Sequence, residues 1–105
     1  MSGNPVSVRV IGAQVWDPVK DNVDVEVTLA DGSRFGATFF TLTNVQRLFE
    51  KNRTTGECKA GLYLWAAQMI LVERLTIEVI RTTVEDLLGS GEFHVAFRSL
   101  AQPGG

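Results

Sequence analysis

The chain has 105 residues, of which 45% are hydrophobic and 21% charged, with a formal net charge of −2 and one cysteine. That length suits one domain rather than two. The composition excludes global disorder, and the slight acidity disfavours nucleic-acid binding, which relies on surplus Lys and Arg.

Val6, Val8 and Val10 alternate with Ser7 and Arg9, the period of a strand with one buried face. The alternation slips at Ile11 and Gly12 and resumes at Ala13 and Val15, which predicts a bulge at the glycine. Residues 17–22 are rich in turn formers and predict a loop. Val23, Val25, Val27 and Leu29 then alternate with Asp24, Glu26 and Thr28, and Asp31-Gly32 marks a hairpin. Parity sets the length of its loop. A loop of Asp31 and Gly32 alone would put Val27 opposite Gly36 and Leu29 opposite Arg34. A loop of Ala30, Asp31 and Gly32, with Gly32 left-handed, puts Val27 opposite Phe35, Val25 opposite Ala37 and Val23 opposite Phe39. Apolar cross-strand pairs stabilise a sheet, so the longer loop is expected. The same register sends Phe40 to the polar face with Asp24, Glu26, Thr28 and Arg34.

Thr43 with Gln46 forms a capping-box pattern, and Val45, Leu48 and Phe49 share one face of the helix that would follow, with Gly56 as its stop. Residues 62–72 are rich in β-formers but apolar on both parities, as in a strand covered on both sides. The Ala66-Ala67-Gln68 step suggests a bend or bulge within it. Thr76 caps a second helix with Glu78 in its first turn, an apolar stripe of Ile77, Ile80, Val84, Leu87 and Leu88, and Gly89 as its stop. Ser90 caps a short third helix carrying Phe93, Ala96, Phe97 and Leu100. The order β-β-β-α-β-α-α predicts an α+β fold, an antiparallel sheet with helices packed on one face. The expected organisation is a disordered N-terminus over 1–5, a single domain over 6–101 and a flexible tail over 102–105.

No chemical constellation stands out. Cys58 beside Lys59 is a possible reactive thiol, since a nearby cation favours the thiolate. Its base would have to be His94, the only histidine, in another element. A small hydrophobe at a packing corner is the expected role of Cys58, and a surface position that of His94. Zinc needs three or four ligands at suitable spacing, and none accompany His94. Asp17, Asp21 and Asp24 lack the spacing of a calcium loop. No phosphate loop, nucleophile elbow or Cys-x-x-Cys is present, so no catalytic residue, metal or cofactor is expected. Arg47, Lys51, Arg53 and Lys59 bias the first helix towards positive charge, but Glu50 and Glu57 dilute it. Gly104 and Gly105 match the end of ubiquitin-like proteins, a reading disfavoured because a helix is expected near this end. Phe40, Trp65 and Tyr63, on or beside a polar sheet face, and Trp16 on a turn, are the candidate partner-binding residues.

The segments Gly36-Ala37-Thr38-Phe39-Phe40-Thr41, Thr55-Gly56-Glu57-Cys58, Leu62-Tyr63-Leu64-Trp65-Ala66 and Met69-Ile70-Leu71-Val72-Glu73 resemble a family of small bacterial single-domain proteins of unknown function. The resemblance runs from about residue 23 to residue 97. It implies a stand-alone bacterial protein and supplies no activity or site residue. A single cysteine makes no internal disulfide, residues 1–10 lack a signal-peptide core, and the longest apolar run is too short to span a bilayer. A cytoplasmic setting with no membrane partner is therefore expected.

The leading functional expectation is a non-enzymatic protein-binding module, adaptor-like or immunity-like, that self-associates as a homodimer through its sheet. The alternatives are a small-ligand binder or enzyme using a sheet–helix pocket near Cys58, His94 and Tyr63, and a weak nucleic-acid binder acting through the first helix.

Overall fold

The alternating valines form the strands they predict. The computed structural model describes residue 5 and residues 7–100, and in it β1 spans Ser7–Ile11, β2 Val23–Thr28 and β3 Arg34–Phe40. β2 pairs antiparallel with both neighbours, setting Val23 opposite Phe39, Val25 opposite Ala37 and Val27 opposite Phe35. This is the register of the longer hairpin loop. Leu29 N–H donates to Ser33 O at 2.9 Å, and Gly32 has φ +86°. Val6 and the diglycine lie outside the described residues, as do the terminal segments apart from residue 5.

The bulge expected near Gly12 is a strand end. β1 stops at Ile11, Gly12 turns away with φ +82°, and Val15 is exposed. The chain then crosses the end of the sheet where β3 gives way to helix α1, Leu42–Thr55. Four hydrogen bonds hold this crossing: Trp16 Nε1–H to Leu75 O at 2.6 Å, Leu75 N–H to Pro18 O at 2.8 Å, Asn44 Nδ2–H to Lys20 O at 2.9 Å and the Thr41 hydroxyl to Val19 O. They also explain why α1 starts before Thr43. Thr41 is buried, its hydroxyl donates to Val19 O, and Thr41 Oγ1 in turn accepts from Asn44 N–H at 3.1 Å. A hydroxyl fixed by the crossing loop is already placed to cap the helix.

Gly56 ends α1 as expected, its N–H bonded to Asn52 O. The next element, α2 (Glu57–Gly61), is one turn of left-handed helix, with φ of 50°, 54° and 55° at Cys58, Lys59 and Ala60. It folds back on α1 so closely that a Cβ on Gly61 would lie 2.9 Å from Phe49 O and 2.7 Å from Arg53 Cγ.

The strand expected over 62–72 shrinks to β4, Met69–Leu71. Residues 62–68 are irregular, and Gln68 is left-handed with φ +47°. β4 runs parallel to β3, with Thr38 opposite Met69, Phe39 opposite Ile70 and Phe40 opposite Leu71. A strand reached through a helical crossover from its neighbour comes back in the same direction, which is why this pairing departs from the antiparallel rest of the sheet. β4 is an edge strand, where the apolar pattern suggested one covered on both sides.

Thr76 caps α3, Ile77–Ser90, through Val79 N–H. The helix passes Gly89 and ends at Gly91, whose N–H meets Leu87 O and Leu88 O. Glu92, rather than Ser90, precedes the short α4, Phe93–Ala96. The chain end expected to be helical forms β5, Arg98–Ser99, antiparallel to the first half of β3. The result is an α+β fold with sheet order β1-β2-β3-β4 and β5 beside β3.

One face of the sheet carries the core. Val8, Val23, Val25, Val27, Phe35, Ala37 and Phe39 meet Ile80, Val84 and Leu88 of α3, and Phe93 and Phe97 at α4. Phe93 stacks on Phe97 with ring centroids 4.5 Å apart and meets Phe35 edge-on at 5.1 Å. Val45, Leu48 and Phe49 of α1 stay half-buried outside this cluster.

Candidate interaction surface and sheet-face hollow

The opposite face of the sheet is a grid fixed by register. Arg9 lies opposite Glu26, Glu26 opposite Gly36 and Gly36 opposite Arg98. One row along, Ile11, Asp24, Thr38 and Met69 stand side by side. Glu26 is buried, and each of its oxygens is taken by a guanidinium. Arg9 reaches Oε1 at 2.7 Å, and Arg34 reaches Oε2 at 3.2 Å from the diagonal position. A buried carboxylate is costly unless paired, and pairing from both sides supplies that. Thr38 Oγ1–H donates to Asp24 Oδ1 at 2.7 Å.

Gly36 interrupts the grid. Leu100 packs over Gly36, and beside them the face dips into a hollow of about 290 Å³, walled by Ile11, Thr38, Ala67, Arg98 and Leu100 among others. Segment 66–68 forms one of its sides. The small-ligand alternative pictured a pocket between sheet and helices, whereas this hollow lies on the side away from α3 and α4.

The four partner-binding candidates separate into two pairs. Phe40 falls on the polar face as its parity requires, but it is only 4% exposed. β4 returns beside it, with Leu71 opposite and Val72 N–H bonded to Phe40 O, so the strip expected to be open is closed by the chain itself. Trp16 is half-buried, packed on the core and tied through its indole N–H to Leu75 O. It anchors the loop rather than standing free on it. Leu62, Tyr63 and Trp65 point the other way, at 76%, 47% and 70% exposure. Leu42 and Leu71, also exposed, border a second hollow of about 390 Å³ with Val72.

Cys58 and His94 do not meet. Cys58 is half-buried in the left-handed turn. His94 is exposed, and its ring lies edge-on to Phe35 and Phe93, with centroids 5.2 and 5.4 Å away. Among the described residues, no group of His, Cys, Asp or Glu gathers to hold a metal, and no helix is long and apolar enough to cross a membrane.

Two loop carboxylates are held below the ordinary range. Val19 N–H and Lys20 N–H stabilise the Asp17 carboxylate, with Lys20 and Arg47 adding attraction. The Ser33 hydroxyl, then its N–H, stabilises that of Asp31. Both belong to turns and serve the loops that contain them. No protein-family model, curated protein or solved structure matches this chain.

The paired Glu26 and the hollow beside Gly36 are features that sequence reasoning missed. Both left a signal: Arg9, Glu26 and Arg34 share a parity, and a glycine within a strand often marks close approach by something else.

Proposed function

We propose that this protein acts by binding another protein, through the apolar surface around Leu62, Tyr63 and Trp65. The observation that carries this reading is their shared exposure on one short irregular segment. Single exposed apolar residues are ordinary, but adjacent large ones with an aromatic pair are characteristic of partner sites. Exposed Leu42 and Leu71 add to the apolar surface elsewhere on the chain. The reading gives the protein no reaction of its own. A bacterial, cytoplasmic setting belongs to the same proposal, in keeping with the single cysteine.

A photo-crosslinking amino acid at position 65, expressed in the native cell, tests it. A discrete, light-dependent protein adduct is expected at that position. The same probe at Val95, 84% exposed on α4, serves as the control. No adduct at position 65, or the same adducts at both positions, would overturn the proposal.

Self-association through the sheet is a second reading, favoured by the edge of β4. The ladder to β3 uses Gln68, Ile70 and Val72, so alternation directs the backbone groups of Met69 and Leu71 outward. Such an edge is a template for another strand. Light scattering after size exclusion should then report a dimer that Leu71→Pro dissociates, and a monomer at all concentrations removes this reading.

A further inference from the structure

We propose that the hollow on the polar sheet face binds a small zwitterion with an apolar tail, of the α-amino acid class, Arg98 holding its carboxylate and Asp24 its ammonium. The site is independent of the protein-binding surface proposed above.

The charges of this face leave one cation and one anion facing the hollow. Glu26 is saturated by Arg9 and Arg34, the ion pairs found among the described residues. Arg98 therefore has no carboxylate partner there, although it lines the hollow. Asp24 lines it too and gives one oxygen to the Thr38 hydroxyl, leaving Oδ2 to accept from a ligand. Arg98 and Asp24 do not neutralise each other. Register places them two strands and two residues apart, so their backbones are separated by about 12 Å at ordinary sheet spacings. The long, exposed Arg98 side chain and the shorter Asp24 carboxylate can be bridged by a molecule that carries both charges.

Each single-charge ligand fits worse. A simple anion on Arg98 faces the Asp24 carboxylate, and a simple cation on Asp24 faces the guanidinium. A molecule carrying both charges satisfies both. Ile11, Ala66, Ala67 and Leu100 offer an apolar wall for its tail. The volume, about 290 Å³, falls at the lower end of small-ligand sites and suits a molecule smaller than a drug. Gly36 has a packing reason, since a Cβ there would lie 3.3 Å from Leu100 Cδ2. Leu100 thus lies over Gly36 and forms the apolar floor on which a tail would rest.

Amide NMR titration with leucine, valine and methionine tests the site. At least one should shift the resonances of Gly36 and Thr38 at millimolar concentration. For that amino acid, the matching carboxylic acid without the amine, and the matching amine without the carboxylate, should each bind at least about tenfold more weakly. Arg98→Gln and Asp24→Asn should each abolish the shifts while the remaining spectrum stays native, and Arg98→Lys, which keeps the charge, should restore part of them. No response to any of the three amino acids overturns the proposal. So does an equal response to the plain carboxylic acid, which would mark a simple anion site, or binding that survives Arg98→Gln.

Discussion

Replacing Lys59 by glycine should stabilise this protein. Lys59 sits at φ 54°, ψ 48°, in the middle of the left-handed turn α2. Its side chain is exposed and makes no hydrogen bond or ion pair among the described residues, so little is lost with it. A left-handed conformation costs an L-residue about 1–2 kcal/mol, which glycine avoids. Glycine's looser unfolded chain returns about 0.5–1 kcal/mol of that. The net gain is about 0.5–1 kcal/mol, and for a domain of this size that raises Tm by roughly 2–8 °C. Thermal unfolding followed by circular dichroism, with urea titration for the free energy, measures it. Lys51→Gly is the matched control. It makes the same chemical change at an exposed site in right-handed α1, where it should cost about 0.5–1 kcal/mol. If Lys59→Gly destabilises as Lys51→Gly does, the turn is not left-handed and the reasoning fails.

Glycine substitutions separate conformational from steric cost. Gly32→Ala, with φ +86° and nothing within 4 Å of its new Cβ, should lose only about 1–2 kcal/mol, whereas Gly61→Ala also meets Phe49 O and Arg53 and should lose clearly more in the same urea titration. Glu26→Gln should cost about 1–2 kcal/mol, a modest figure because Arg9 and Arg34 remain 63% and 43% exposed to water, and the cost should shrink in high salt. Trp16→Phe leaves Leu75 O without its indole donor and should lower stability by about 1–3 kcal/mol while the α3 helix signal is kept. Asp17, whose folded pKa is lowered by backbone N–H groups, contributes stability that is present above the ordinary carboxylate value and lost as pH falls through the folded midpoint. An NMR titration placing that midpoint at or above the ordinary value would contradict the turn geometry.

The long-range parts of the structure escaped sequence reasoning for one reason. The run over 62–72 is apolar on both parities, so its pattern specifies neither how long the strand is nor which side of it is covered. Parity placed Phe40 on the correct face, but its burial depends on β4 arriving beside it, a pairing between residues 40 and 71. The capping-box pattern with Gln46 favours Thr43 by local rules, and the contact of Thr41 with Val19 O decides for Thr41 instead. Likewise, a tryptophan on a turn looks free until residue 75 supplies a carbonyl for it.

By itself the sequence determined what is local. The valine alternation, the length of the β2–β3 loop, its resulting register, the Thr76 cap and the α3 stripe of Ile80, Val84 and Leu88 all follow from side-chain period and backbone preference within a few residues. Tertiary structure decided what depends on chain segments far apart: the short parallel β4, the closing of the strip at Phe40, the pairing of Glu26 from both sides and the hollow beside Gly36. Periodicity assigns a side chain to a face. Only the packing of distant segments determines whether that face is covered, paired or left exposed, as it is at Leu62, Tyr63 and Trp65.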